Sequence, residues 1–148
     1  MKLNKYSFIV LITILLGACG SPDNDRDSDA IDESLPLQEQ IDLLIEMNEY
    51  ETALTRLSGR DSTDPEIARL LEKTHLNYAL HSMTTFDETK MRTRMNNALL
   101  HFTEVLRINP NNIVAREQIE QILSIYQTFP NREPDPEVME GLREFGFE

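Results

Sequence analysis

The sequence predicts an all-α fold, and three observations point to it. From Leu37 to the end, apolar residues recur at i, i+3 and i+4, a spacing that gathers them on one face of a helix. No stretch in that region alternates apolar and polar residues convincingly enough for a strand. Proline punctuates the chain at Pro65, Pro110, Pro130 and Pro136, at positions suited to starting or stopping helices.

The first element precedes the fold. Lys2 and Lys5 open the chain, and Ser7 to Leu16 is almost unbroken hydrocarbon. Its roughly ten apolar residues fall short of the roughly 20 that cross a bilayer core but suit a secretory signal. Leu16, Gly17, Ala18 and Cys19 close the segment. This resembles the bacterial lipobox, in which the cysteine sulfur receives a diacylglycerol before cleavage and the amine is acylated afterwards. The resemblance implies that residues 1–18 are a cleaved lipoprotein signal peptide and that Cys19 carries the lipid anchor. Several acyl chains would hold the chain firmly to a membrane. The alternative is an ordinary signal, or a membrane anchor with an incidental cysteine. Gly20 stands where an Asp would suggest inner-membrane retention, so the resemblance implies an outer-membrane envelope protein. Cys19 is the only cysteine, which excludes an intrachain disulfide and a Cys-based metal site.

The chain has 26 acidic and 14 basic residues, a net charge of −12, which becomes −14 once Lys2 and Lys5 leave with the signal. Such a charge disfavours nucleic acid and anionic membrane surfaces, which bind clustered Lys and Arg. Residues 19–36 read as a flexible acidic tether. Six acids and one Arg lie between Asp23 and Glu33, with Ile31 the one large apolar residue; such a stretch buries too little to offset the entropy of ordering. Its r.m.s. reach is roughly 20–25 Å. The alternating Asp23, Asp25, Asp27 and Asp29 do not make an EF-hand loop. From Asp23 the sixth and twelfth places hold Ser28 and Ser34, and from Asp25 they hold Ala30 and Pro36, where Gly and Glu are required.

The helical stripes follow in order. Ile41, Leu44 and Ile45 form the first; Tyr50, Ala53, Leu54 and Leu57 the second. Ile67, Leu70, Leu71, Thr74 and Tyr78 form the third, with Asp64 as its N-cap and Pro65 at its first position. The fourth and longest runs through Met91, Met95, Ala98, Leu99, Phe102, Val105 and Leu106. Val114, Ile119, Ile122, Leu123 and Tyr126 form the fifth, stopped by Pro130. Asp135, Pro136 and Glu137 open a last helix carrying Val138, Met139, Leu142 and Phe145.

Ala53 and Pro65 are twelve residues apart, as are Ala98 and Pro110, and an apolar residue, Leu57 or Phe102, lies four after each alanine. This resembles the second helix and closing turn of a tetratricopeptide repeat, with its A-x3-F and terminal Pro. In that register Leu71 takes the family's first large apolar place and Tyr78 its aromatic place. The family's small first-helix place holds Ile41, His75 and Glu120 instead, and the alanines are 45 residues apart against a usual period of 34. The surplus of about three helical turns fits a middle hairpin with both helices lengthened and a tip near Thr84 to Asp87. The resemblance therefore implies a tetratricopeptide-like solenoid of about three helical hairpins over residues 37–129. Residues 130–148 would add a Pro-rich turn and a capping helix, pairing irregularly with the helix after Asn111.

His75, His81 and His101 are the only histidines; the first two, six apart, lie on different faces of one helix, so no metal site is expected. Convergence with Asp87 or Glu88 is the alternative. No H-E-x-x-H, G-x-S-x-G or Gly-rich phosphate loop occurs among five glycines, and Asp135/Glu137 read as a helix start, not an acid–base pair. The chain is expected not to be an enzyme and to need no cofactor.

Binding remains. The family's first helices line a concave face, which by resemblance holds Arg69, Lys73, Gln118 and Gln121. The two cations would clamp an acidic or carboxyl-terminal peptide; the alternative pairs Arg69 with Glu72 along the helix and leaves Lys73 in solvent. Phe86 at the hairpin tip, near Lys90, Arg92 and Arg94, is a second anchor unless it folds back on its own helices. The expected function is a lipid-anchored adaptor for envelope proteins. The alternatives are a self-associating structural subunit and, from a third class, a hydrolase or metal-binding protein.

Overall fold

The computed structural model describes residues 31–85, 88–129 and 133–148. The proposed signal, Cys19 and Phe86 lie outside these residues, as does Pro130. Among the described residues the chain is all-helical: α1 (Leu37–Glu46), α2 (Tyr50–Leu57), α3 (Pro65–Thr84), α4 (Met91–Ile108), α5 (Ile113–Gln127) and α6 (Pro136–Arg143), with no strand. A 3-10 turn, Glu88–Lys90, leads into α4.

Packed chain begins before α1. Ile31 is buried against Ile41, Leu44, Ala53, Leu57 and Leu70. The buried Gln40 side chain donates to the Leu35 carbonyl at 2.7 Å and the Glu33 carbonyl at 3.2 Å, while its own oxygen accepts from Arg56 at 2.6 Å. The stretch 31–36, which composition assigns to the tether, thus lies on the folded body. Ile31 finds a hole there, and one glutamine satisfies two of the stretch's carbonyls.

Local chemistry sets the helix ends. Asn48, at φ +63°, turns the chain from α1 to α2, in a left-handed conformation that asparagine tolerates. Gly59, at φ +74°, closes the turn after α2. Asp64 accepts from the Glu66 amide at 2.8 Å and Pro65 opens α3; Asn112 caps α5 through the Ala115 amide at 2.9 Å. Asp135 precedes α6 without capping it: its carboxylate accepts from Arg92 at 3.0 Å instead.

The long α3 and α4 pack along each other, α1 and α2 both lie against α3, and α5 and α6 both lie against α4. The small core beneath α1 and α2 is the cluster around Ile41 and Leu44. A larger one gathers Ala79, Ala98, Leu99, Phe102, Val105, Leu106, Ile119, Ile122 and Leu142. Ala53 and Ala98 have no exposed surface, as expected where helices approach closely. Two stripe residues face outward instead. Met91 is 40% exposed, at the start of α4 and beyond most of its partners, and Val114 is 43% exposed, because Ala115, Ile119 and Ile122 carry the buried face of α5.

The position of α6 differs from the expected pairing with α5. It lies along α4, where a Cβ on Gly141 would come within 3.2 Å of Thr103 Cγ2. Buried Asn96 of α4 accepts from the Asp135 amide at 3.1 Å, and Arg107 donates to Glu144 at 3.0 Å. Glycine at the crossing allows the approach, and polar contacts at both ends hold it.

Candidate functional site

The cations expected to form a clamp are engaged by α1. Arg69 donates to Gln38 at 2.8 Å, and Lys73 pairs with Asp42 at 2.9 Å. Glu72 is not the partner of Arg69 along the helix; it accepts from Asn109 and Asn112 at 2.9 and 2.8 Å. Gln118 is half-buried and Gln121 exposed on α5. Among the residues chosen for repeat packing, Ala53, Leu57, Ala98 and Phe102 are buried, and Leu71 is half-buried on the smaller core. Pro110 is exposed past the end of α4, where its carbonyl accepts from Arg116 at 3.0 Å.

A different surface forms a broad concavity. A groove of about 710 Å³ crosses the outer face of α4 between the far half of α3 and α6; Asn97, Leu100, Glu104 and Arg107 contribute from α4, Tyr78 and His81 from α3, Val138 and Gly141 from α6. Leu100 is 46% exposed. Arg107 is held between Glu104 and Glu144, whereas Arg94, also on the groove, makes no ion pair among the described residues. Hydrogen-bond donors, acceptors and an apolar contact thus share one channel. A smaller apolar cleft of about 160 Å³ lies between Met91, Met95, Ile125, Tyr126 and Phe129.

Beneath one wall of the groove stands a ladder of polar rings. His75 Nδ1 and His101 Nδ1 are 3.0 Å apart. Tyr78 stacks on His101 at 4.1 Å between centroids and on Tyr50 at 5.0 Å, and Tyr50 meets His81 at 5.4 Å. The Tyr78 hydroxyl donates to Glu51 at 3.0 Å. Burial, then the neighbouring His75, push His101 down to about 4. Burial also lowers His75, against the pull of Glu104. At neutral pH both rings are therefore uncharged, and a single N–H bridges them. Burial raises the Tyr78 phenol, and accepting Glu51 raises it further. Among the described residues no three or more His, Cys, Asp or Glu side chains gather as a metal site.

Treating the histidines one helix at a time misses this pair. One sequence signal was available: positions 75 and 101 are equidistant from 88, close to the expected hairpin tip, so antiparallel α3 and α4 bring them level. The α4 groove had no comparable signal, because its far wall depends on where α6 docks.

No known protein family, curated protein or solved structure matches this chain.

Proposed function

We propose that the protein is a lipid-anchored, tetratricopeptide-like adaptor of the bacterial envelope that holds an extended segment of a partner protein in the groove across α4. The groove carries this reading. It is open to solvent and lined by Asn97, Glu104 and Arg107 beside the exposed Leu100, a mixture suited to a peptide's backbone and one apolar side chain. The repeat reading draws support from the buried Ala53 and Ala98, from α3 lying against both α1 and α2, and from the lengthened α3–α4 hairpin. The lipid anchor rests on the Leu16–Cys19 pattern.

The test is capture of partners from native membranes by the tagged full chain, beside Leu100→Asp and Arg69→Glu/Lys73→Glu variants that remain helical. A partner lost with Leu100→Asp and kept by the double variant supports the groove; the reverse moves the site to the α1–α3 face. Mass analysis with and without Cys19→Ala tests the anchor, and an uncleaved, unlipidated wild type refutes it. A self-associating subunit is the second reading, favoured by Ile113, 69% exposed beside Val114. Sedimentation at several concentrations decides it: a persistent monomer rules it out.

A further inference from the structure

We propose that the His75–His101 pair is a proton-operated latch joining α3 to α4 under the groove, so that acid loosens the wall against which a partner docks. The regulatory role rests on the groove being the partner site, as read above; the latch itself can be tested without a partner.

Two neutral imidazoles with Nδ1 atoms 3.0 Å apart are joined by one N–H donating to the other ring's lone pair, with the tautomer deciding which ring donates. One added proton keeps a hydrogen bond and makes it charge-assisted. Glu104, the carboxylate that bears on His75, draws that proton there. A second proton leaves each Nδ1 carrying a hydrogen and each ring a positive charge. The bond is then lost and the rings repel. The two protonations form one coupled titration, whose second step opens the latch.

The groups around the pair are few. Tyr78 comes from α3, as does His81, which meets the ladder at Tyr50, and Glu104 comes from α4; α2 supplies Tyr50 and Glu51, both reaching the pair through Tyr78. Among the described residues no hydrogen bond or ion pair joins the two histidines to α1, α5 or α6. The pair reaches the groove by two routes. Tyr78 stacks on His101 and lines the groove, and Glu104 bears on His75 and lines it too. Separation of the rings therefore shifts one aromatic and one carboxylate of the wall.

The test uses the full chain in detergent, labelled on its histidine rings and leucine methyls, titrated by NMR from pH 7.5 to 3.5. The expected result is that His75 and His101 titrate below the ordinary histidine range in linked steps, and that the Leu100 methyl moves with the later one. His75→Phe should raise the His101 midpoint by relieving repulsion. His101→Phe keeps a ring to stack on Tyr78 and should abolish the Leu100 movement; if it does not fold, His75→Phe serves as that control. Independent titration of both rings near 6.5, or an undiminished Leu100 response in the folded control, overturns the latch. Failure of the partner reading shows separately, as absence of groove-dependent capture at any pH.

Discussion

Phe102 and Tyr78 are both aromatic residues at repeat-like positions, yet their surroundings make them different devices. Phe102 has no exposed surface and sits among aliphatic side chains of the larger core. Replacing it with Ala should cost about 3–5 kcal/mol, read as a lower denaturant midpoint. Tyr78 is half-buried, stacked between two rings and bonded to Glu51. The buried histidines give stability a pH dependence of defined sign. Burial holds them below their ordinary value, so between the folded and unfolded values the unfolded chain binds more protons. Stability is therefore full above pH 6.5 and falls as pH drops toward the His101 value of about 4. His101 would contribute up to about 3 kcal/mol of that loss. Thermal melts at pH 7 and 4.5 should differ clearly in wild type, and less in His101→Phe.

Helix elements were legible where their signals are local. The Asp64–Pro65 start of α3 needs only neighbouring residues, and the structure carries it. Asp64→Ala should cost about 1 kcal/mol, measurable by chemical denaturation. Docking is another matter. The apolar face of α6 says that it packs and not on which helix. Its place on α4 depends on Gly141 meeting Thr103 and on contacts from residues 96 and 107, far away in sequence. Gly141→Val should push α6 from α4 and lower stability through overpacking by about 1–3 kcal/mol. An unchanged melting temperature would mean that the crossing has slack. The same substitution should narrow or distort the groove, since α6 is one of its walls.

At the scale of the molecule, stability rests on two apolar clusters more than on charge. Among the described residues the four ion-pair contacts are at least partly exposed, with side-chain accessibilities from 33% to 64%, and such pairs contribute about 0–1 kcal/mol each. Ile31 extends the smaller cluster beyond the first helix. Ile31→Asp should therefore destabilise the protein by roughly 1.5–3 kcal/mol, whereas a residue in a mere tether would tolerate it. The sequence by itself determined the all-α class and the start of α3, because periodicity, capping and proline act over a few residues. Tertiary structure alone decided that α1 engages Arg69 and Lys73, that His75 meets His101, and that α6 closes a groove over α4. A side chain's partner is set by how rigid helices cross, and a crossing depends on the summed fit of surfaces that no local stretch of the chain contains.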